Sequence, residues 1–105
     1  MIDRQFGIEG KALLLRSQRL NLLASNIANA ATPGFKARDL DFNAALDGAA
    51  NAIKFRVPVQ SSLDGNTVEL ATEQTKFAEN TIQYRTTLAF LGGRIASLVS
   101  AIKGE

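Results

Sequence analysis

Apolar residues recur every seven positions along the last third of the chain. Leu70, Phe77, Tyr84, Leu91 and Leu98 form one ladder, and Leu88, Ile95 and Ile102 form a second, offset from it by four. Together they draw one apolar stripe down a helix spanning residues 70–102, the spacing that a helix–helix seam requires. Asn66, with Glu69 three residues on, reads as the N-cap of that helix with its capping-box partner. Gly92 and Gly93 interrupt the ladder and cost about 2 kcal/mol of helix propensity. The pattern therefore predicts either a bend there or another backbone lying close by.

The beginning of the chain repeats the theme. Phe6, Leu13, Leu20 and Ile27 are spaced by seven, and Leu23 fills the intervening seam position. This predicts a helix over about residues 10–30, with a looser start reaching toward Ile2, because Gly7 and Gly10 each weaken it by roughly 1 kcal/mol relative to alanine. Pro33 has no N–H and pushes Thr32 out of the helical region, so the helix ends near Ala30 or Ala31. Thr32-Pro33-Gly34-Phe35 fits a type II turn, with glycine at the position needing positive φ. Asn29 suits a helix end, and Asn26, one turn earlier, is within reach of the returning loop.

Between the helices the period changes. Residues 39–43 lead into a helix-compatible piece over 44–52. Ile53, Phe55, Val57 and Val59 then alternate with Lys54, Arg56 and Pro58, a strand period that Pro58 confines to a sheet edge. Asp64-Gly65 reads as a tight turn. The expected fold is mainly α: long N- and C-terminal helices paired as an antiparallel coiled-coil-like hairpin, with a short extended or β-hairpin middle. Residues 1–31, 32–68 and 69–105 make up one structural unit. Helices of roughly 20–35 residues are about 30–50 Å long, and a hairpin covers only part of each stripe. Ordering costs about 1–2 kcal/mol per residue, so the lone chain is expected to be marginal, with neighbouring copies completing its core.

Composition narrows the chemistry. At 105 residues the chain holds one small domain, and 46% hydrophobic residues suffice for a core. Neither cysteine nor histidine occurs, which removes thiol and imidazole catalysis, disulfides and the usual zinc sites; no cofactor is expected. Asp39 and Asp41 are the only pair suggesting an acid–base or cation site. No third ligand accompanies them, and they read as solvated loop carboxylates. Net charge is +2 with no run of one sign. A patch of Arg16, Arg19, Lys36, Arg38, Lys54 and Arg56 is interrupted by Asp39, Asp41 and Asp47, so a nucleic-acid partner is not expected. Met1-Ile2-Asp3-Arg4 carries no secretory pattern, and no apolar run reaches membrane-spanning length.

Residues 23–42 read LASNIANAATPGFKARDLDF. They resemble the signature of the flagellar rod, hook and basal-body axial proteins, Asn-(Ile/Leu)-Ala-Asn-Ala-x-Thr-Pro-Gly-(Phe/Tyr), which here falls on Asn26, Asn29, Thr32, Pro33, Gly34 and Phe35. Residues 57–69, VPVQSSLDGNTVE, followed by Phe77-Ala78-Glu79-Asn80, resemble the proximal rod members. The resemblance implies a structural subunit, not an enzyme. It implies unfolded export through the flagellar type III gate without a cleavable signal, and a place in the periplasmic rod of the basal body. Implied neighbours are further copies, the sister rod protein FlgC, the adaptor FliE and the inner-membrane ring, without insertion in the membrane. From the residues alone, a generic helical partner-binding module such as a regulatory coiled coil remains the alternative.

Overall fold

A computed structural model of the chain describes residues 2–58 and 62–104, with side chains from residue 7 onward. Five elements follow in order: α1 (Ile2–Ala28), β1 (Arg38–Leu40), α2 (Phe42–Leu46), β2 (Ile53–Phe55) and α3 (Leu70–Lys103). The antiparallel pair of α1 and α3 sets the shape, an elongated body of 64 × 25 × 17 Å. The long helices and small antiparallel sheet are those the periodicities predict. Helix α1 already begins at Ile2 and runs through Gly7 and Gly10. Its end at Ala28 is two residues short of the predicted one, because residues 29–31 already belong to the turn.

Strands β1 and β2 pair with Arg38 opposite Phe55, Asp39 opposite Lys54 and Leu40 opposite Ile53. β1 lies against α1, and α2 covers its end. Leu15, Leu40, Ala45 and Ala52 form the small apolar core there, flanked by Leu22 and Phe42. The predicted middle helix over residues 44–52 is a single turn starting at Phe42. Asp41 caps it, its Oδ1 accepting from the Ala44 N–H. The predicted strand is likewise only three residues long, and its alternation buries nothing, since Ile53 and Phe55 remain 50% and 69% exposed. Val59 lies outside the described residues, as does the Phe6 side chain.

Three readings of α3 need correction. Asn66 is not its N-cap; Glu69 holds that position with φ −108° and no side-chain cap bond. Helix α3 continues as a helix through Gly92-Gly93, and among the described residues nothing from elsewhere in the chain lies within 4 Å of where a Cβ would stand on either glycine. The seam is also only half as predicted. Phe77, Tyr84, Leu91 and Leu98 are half-buried, but Leu88, Ile95 and Ile102 are 48%, 50% and 76% exposed. The second ladder of the seam is polar instead: Glu73 and Asn80 are fully buried, and Thr87 and Arg94 half-buried. A 3–4 spacing places residues 73, 77, 80, 84, 87, 91, 94 and 98 on one face of a helix, and choosing ladders by hydrophobicity alone shifted that face by one position.

Candidate functional site

The turn end of the hairpin is held by side chains of opposite charge. Glu73 projects from α3 with no exposed surface. Its Oε2 accepts from Asn26 Nδ2 at 3.0 Å, and the Arg56 guanidinium pairs with it at 2.8 Å. Arg56 also reaches Asp39 at 3.1 Å, and Asp39 holds Arg19 of α1 through two bonds of 2.8 and 3.0 Å. Helices α1 and α3, strand β1 and the residue just after β2 thus contribute to one chain of charges. Burial by itself raises the Asp39 pKa. The Arg19 hydrogen bond, the Leu40 N–H and the charges of Arg19 and Arg56 outweigh it and hold the carboxyl below its ordinary value. The same bond raises Arg19 against the opposing effect of burial. Buried charges with several hydrogen bonds tolerate desolvation, but loss of one partner is severe.

Asn26 does more than meet Glu73. Its Nδ2 donates to the Arg38 carbonyl at 2.7 Å and its Oδ1 accepts the Arg38 N–H at 3.1 Å, so a side-chain amide pairs with β1 as a neighbouring strand would. Asn29 stays on its own helix. Its Nδ2 donates to the Ser25 carbonyl and its Oδ1 accepts from the Thr32 hydroxyl. The turn beyond it has the predicted form: the Phe35 N–H donates to the Thr32 carbonyl, and Gly34 sits at φ 74°. Pro33 and Thr32 are exposed, and Phe35 is half-buried.

Asn66, read from the sequence as a cap for α3, closes α1 instead. Its Nδ2 donates to the carbonyls of Asn29, Ala30 and Thr32 at 2.9, 3.2 and 2.7 Å, in the turn that follows the helix end. Residues 64–67 are strapped alongside. Gly34 N–H donates to Asp64, Thr67 N–H to Phe35, and Ala37 N–H to the Thr67 hydroxyl. The Ser62 hydroxyl and the Asn66 N–H, both donating to Asp64, lower its pKa. The Asp64-Gly65 turn is therefore the clasp on the Pro33-Gly34 turn.

Of the predicted seam, the described part of α1 places Leu23 at 0% exposure and leaves Leu13, Leu20 and Ile27 half-buried. Further along, polar stitches join the helices. Asn80 Nδ2 donates to the Arg16 carbonyl at 2.8 Å, the Arg16 guanidinium to Gln83, and Arg94 pairs with Glu9 at 2.9 Å. Sequence reasoning missed Glu73, Asn80 and Arg56. The available signal was the seven-residue polar repeat Asn66, Glu73, Asn80, Thr87, Arg94.

The chemical alternatives fare poorly in this geometry. Asp39 is not a solvated loop carboxylate, since it lies on β1 and neutralises two arginines; Asp41 is an exposed loop carboxylate as expected, and it caps α2 and pairs with Lys54 at 3.5 Å. The supposed basic patch is dispersed, with Arg16 over the Phe42 ring, Lys36 on the Gly65 carbonyl, and Arg19, Lys54 and Arg56 in ion pairs. Among the described residues, no helix is long and apolar enough to cross a membrane.

The family of flagella basal body rod proteins matches residues 8–36, from α1 through the turn just described. Over nearly the whole chain, the sequence is 49% identical to the flagellar basal body rod protein FlgB of Cereibacter sphaeroides, covering 96% of this chain and 95% of that protein. It is 39% identical to the protein of the same name from Aeromonas hydrophila, over 98% of this chain and 96% of the relative. For Escherichia coli (strain K12) the figure is 34%, over 97% and 95%. The first alignment runs over 122 positions, so that relative has residues inside the matched span with no counterpart in this shorter chain. With identity at this level from end to end, the chain belongs to the flagellar basal body rod protein FlgB family.

Proposed function

We propose that the chain is a structural subunit of the proximal rod of the flagellar basal body, part of the shaft that transmits rotation for motility. The observation that carries this reading is the unbalanced surface of α3. Leu88, Ile95, Val99 and Ile102 form a continuous exposed apolar stripe beside the seam, and Ile8 and Leu14 of α1 are 54% and 61% exposed. An isolated soluble domain seldom leaves so contiguous an apolar strip facing water; a subunit that finishes its core against neighbours does. In the assembled rod, further copies and other rod proteins such as FlgC cover the strip, with the adaptor FliE and the inner-membrane ring at its base. Passage through the type III export gate as an unfolded chain accounts for the periplasmic location. A fold of marginal independent stability suits that route.

The signature turn acts in the same reading as the element that aims the middle segment. Asn26, Asn29, Thr32, Pro33, Gly34 and Phe35 fix the exit from α1, and an angular error there recurs at every subunit contact. The test is an Ile95→Asp strain. Ile95 is half exposed in the single chain, so synthesis and folding should persist while incorporation into rods and swimming are lost. Normal swimming would remove the strip from the assembly.

A further inference from the structure

The two edges of the small sheet are treated differently. In the antiparallel ladder, the Asp41 N–H donates to the Ala52 carbonyl and the Arg56 N–H to the Ala37 carbonyl, both at 2.8 Å. Bonded pairs alternate with non-bonded ones, so Arg38 and Leu40 on β1, and Ile53 and Phe55 on β2, turn their backbone groups outward. On β1 three of these four groups are satisfied. Asn26 takes both groups of Arg38, and Asp39 Oδ1 accepts the Leu40 N–H. On β2, among the described residues, nothing meets the outward groups of Ile53 and Phe55. The side chains along this open edge are apolar and exposed: Ile53 by 50%, Phe55 by 69% and Val57 by 86%. Free edges are normally blunted by charge, proline or cover. Here one edge is closed by a dedicated amide, while on the other the exposed Ile53, Phe55 and Val57 alternate with Lys54, Arg56 and Pro58 and leave one face of the strand apolar.

Charge says what the open edge accepts. Arg38 stands opposite Phe55 on the same face of the ribbon, beside an open groove of about 390 Å³ between α1 and the ribbon that Leu22 and Ile53 also line. Arg19, Lys54 and Arg56 have carboxylate partners, whereas the exposed Arg38 guanidinium has none among the described residues. We propose that the outer edge of β2 receives an extended segment of a neighbouring rod protein, adding a third strand to the sheet. That segment carries apolar side chains at alternate positions beside Ile53 and Phe55, and a carboxylate that reaches Arg38. Main-chain bonds to the edge supply attachment, and the alternating side chains supply choice of partner. This inference rests on the rod assignment, and it adds a contact that the helical seam does not provide.

Amide exchange in rods assembled with the chain tests it. In the free chain the Ile53 and Phe55 amides should exchange at open-loop rates while Arg56 is protected. In rods, both should slow by at least tenfold. Rods that contain the chain but leave both amides fast would overturn the added strand and spare the rod assignment. Failure of the chain to enter rods would overturn both. Equal slowing in concentrated free chain, with a dimer, would assign the edge to a second copy and overturn the proposed occupant.

Two variants separate edge from fold. The outward Phe55 N–H contributes nothing to the β1 ladder, so Phe55→Pro removes the edge donor while sparing the sheet. It should leave the helical signal unchanged and cut incorporation at least tenfold; normal incorporation contradicts the proposal. Should that variant misfold, Phe55→Lys keeps the N–H, places charge on the edge, and should reduce incorporation similarly. Glu substituted at Arg38 should also weaken incorporation, and normal incorporation would remove the carboxylate from the partner.

Discussion

At the turn end of the hairpin, α1, the β-ribbon and α3 meet around Asn26, Asp39, Arg56 and Glu73, and side-chain bonds reach the carbonyls of Asn29, Ala30, Thr32 and Gly65. At the other end, before about Lys11 on α1 and beyond Asn80 on α3, the contacts among the described residues are those of α1 with α3. Polar residues lie at the centre of the first region, and apolar ones, including Leu88, Ile95 and Ile102, lie on the outside of the second. A bare pair of helices buries little of its apolar surface, and burial rises where further elements pack over the pair. The turn end therefore has specific geometry of its own, while the far end has surface awaiting a partner. The proposed route, in which the subunit travels unfolded and locks into place on arrival, is consistent with that division.

The sharpest way to break the comparison is to remove the buried carboxylate. Glu73→Ala leaves Arg56 and Asn26 without their shared acceptor and should cost about 3–5 kcal/mol, measured by urea unfolding of the free chain. Next comes Asn66→Ala. Losing the amide that meets three carbonyls should cost about 1–3 kcal/mol and loosen the end of α1, visible as faster exchange of amides 29–35. Both effects belong to the turn end, and neither has a counterpart at the far end.

Gly34→Val should cost somewhat less, about 1–2 kcal/mol, because only the left-handed backbone is strained. Nothing stands within 4 Å of the position its Cβ would occupy. Gly34→Asn should recover much of the loss, since asparagine tolerates that conformation; an equal loss for both would mean that bulk, not φ, decides.

Acid should act more gradually. The Asp39 pKa is lowered in the fold, so the unfolded chain binds the extra proton first. Its contribution is complete above the ordinary carboxylate pKa of about 3.9 and fades as pH falls through the lowered value. Asp39→Asn should flatten the stability profile below about pH 4 relative to the parent. The smallest effect belongs to the far end. Ile95→Ala in the free chain should change stability by no more than about 0.5 kcal/mol, although the same change in assembled rods should be several times larger.

Much of the turn end was legible in the sequence. Thr32-Pro33-Gly34 has one stereochemical reading, and Gly34 at φ 74° follows it. The seven-residue apolar ladder from Phe77 to Leu98 likewise gave half of the seam of α3, while the second apolar ladder placed the face one position off. What escaped was tertiary. Asn66 has the same local signature whether it caps the helix after it or the helix 37 residues before it, and only the folded chain brings Asn29 within 2.9 Å. Glu73 and Asn80 sit on a seam that hydrophobicity rules out, because a buried carboxylate is stable only with partners such as Arg56, which no local pattern announces. The brevity of β2 has the same origin, since Ile53 and Phe55 alternate as strand residues do but face an edge and not a core.

Amide exchange along α1 and α3 tests the central claim most directly, comparing the free chain at low concentration with the chain in assembled rods. The free chain should show its strongest protection around Leu23, Asn26, Glu73 and Phe77. Protection should decline toward Ile8 on α1 and Ile102 on α3, and become uniform only on assembly. Equal protection from end to end in the free chain would contradict the division between a self-sufficient turn and an unfinished far end.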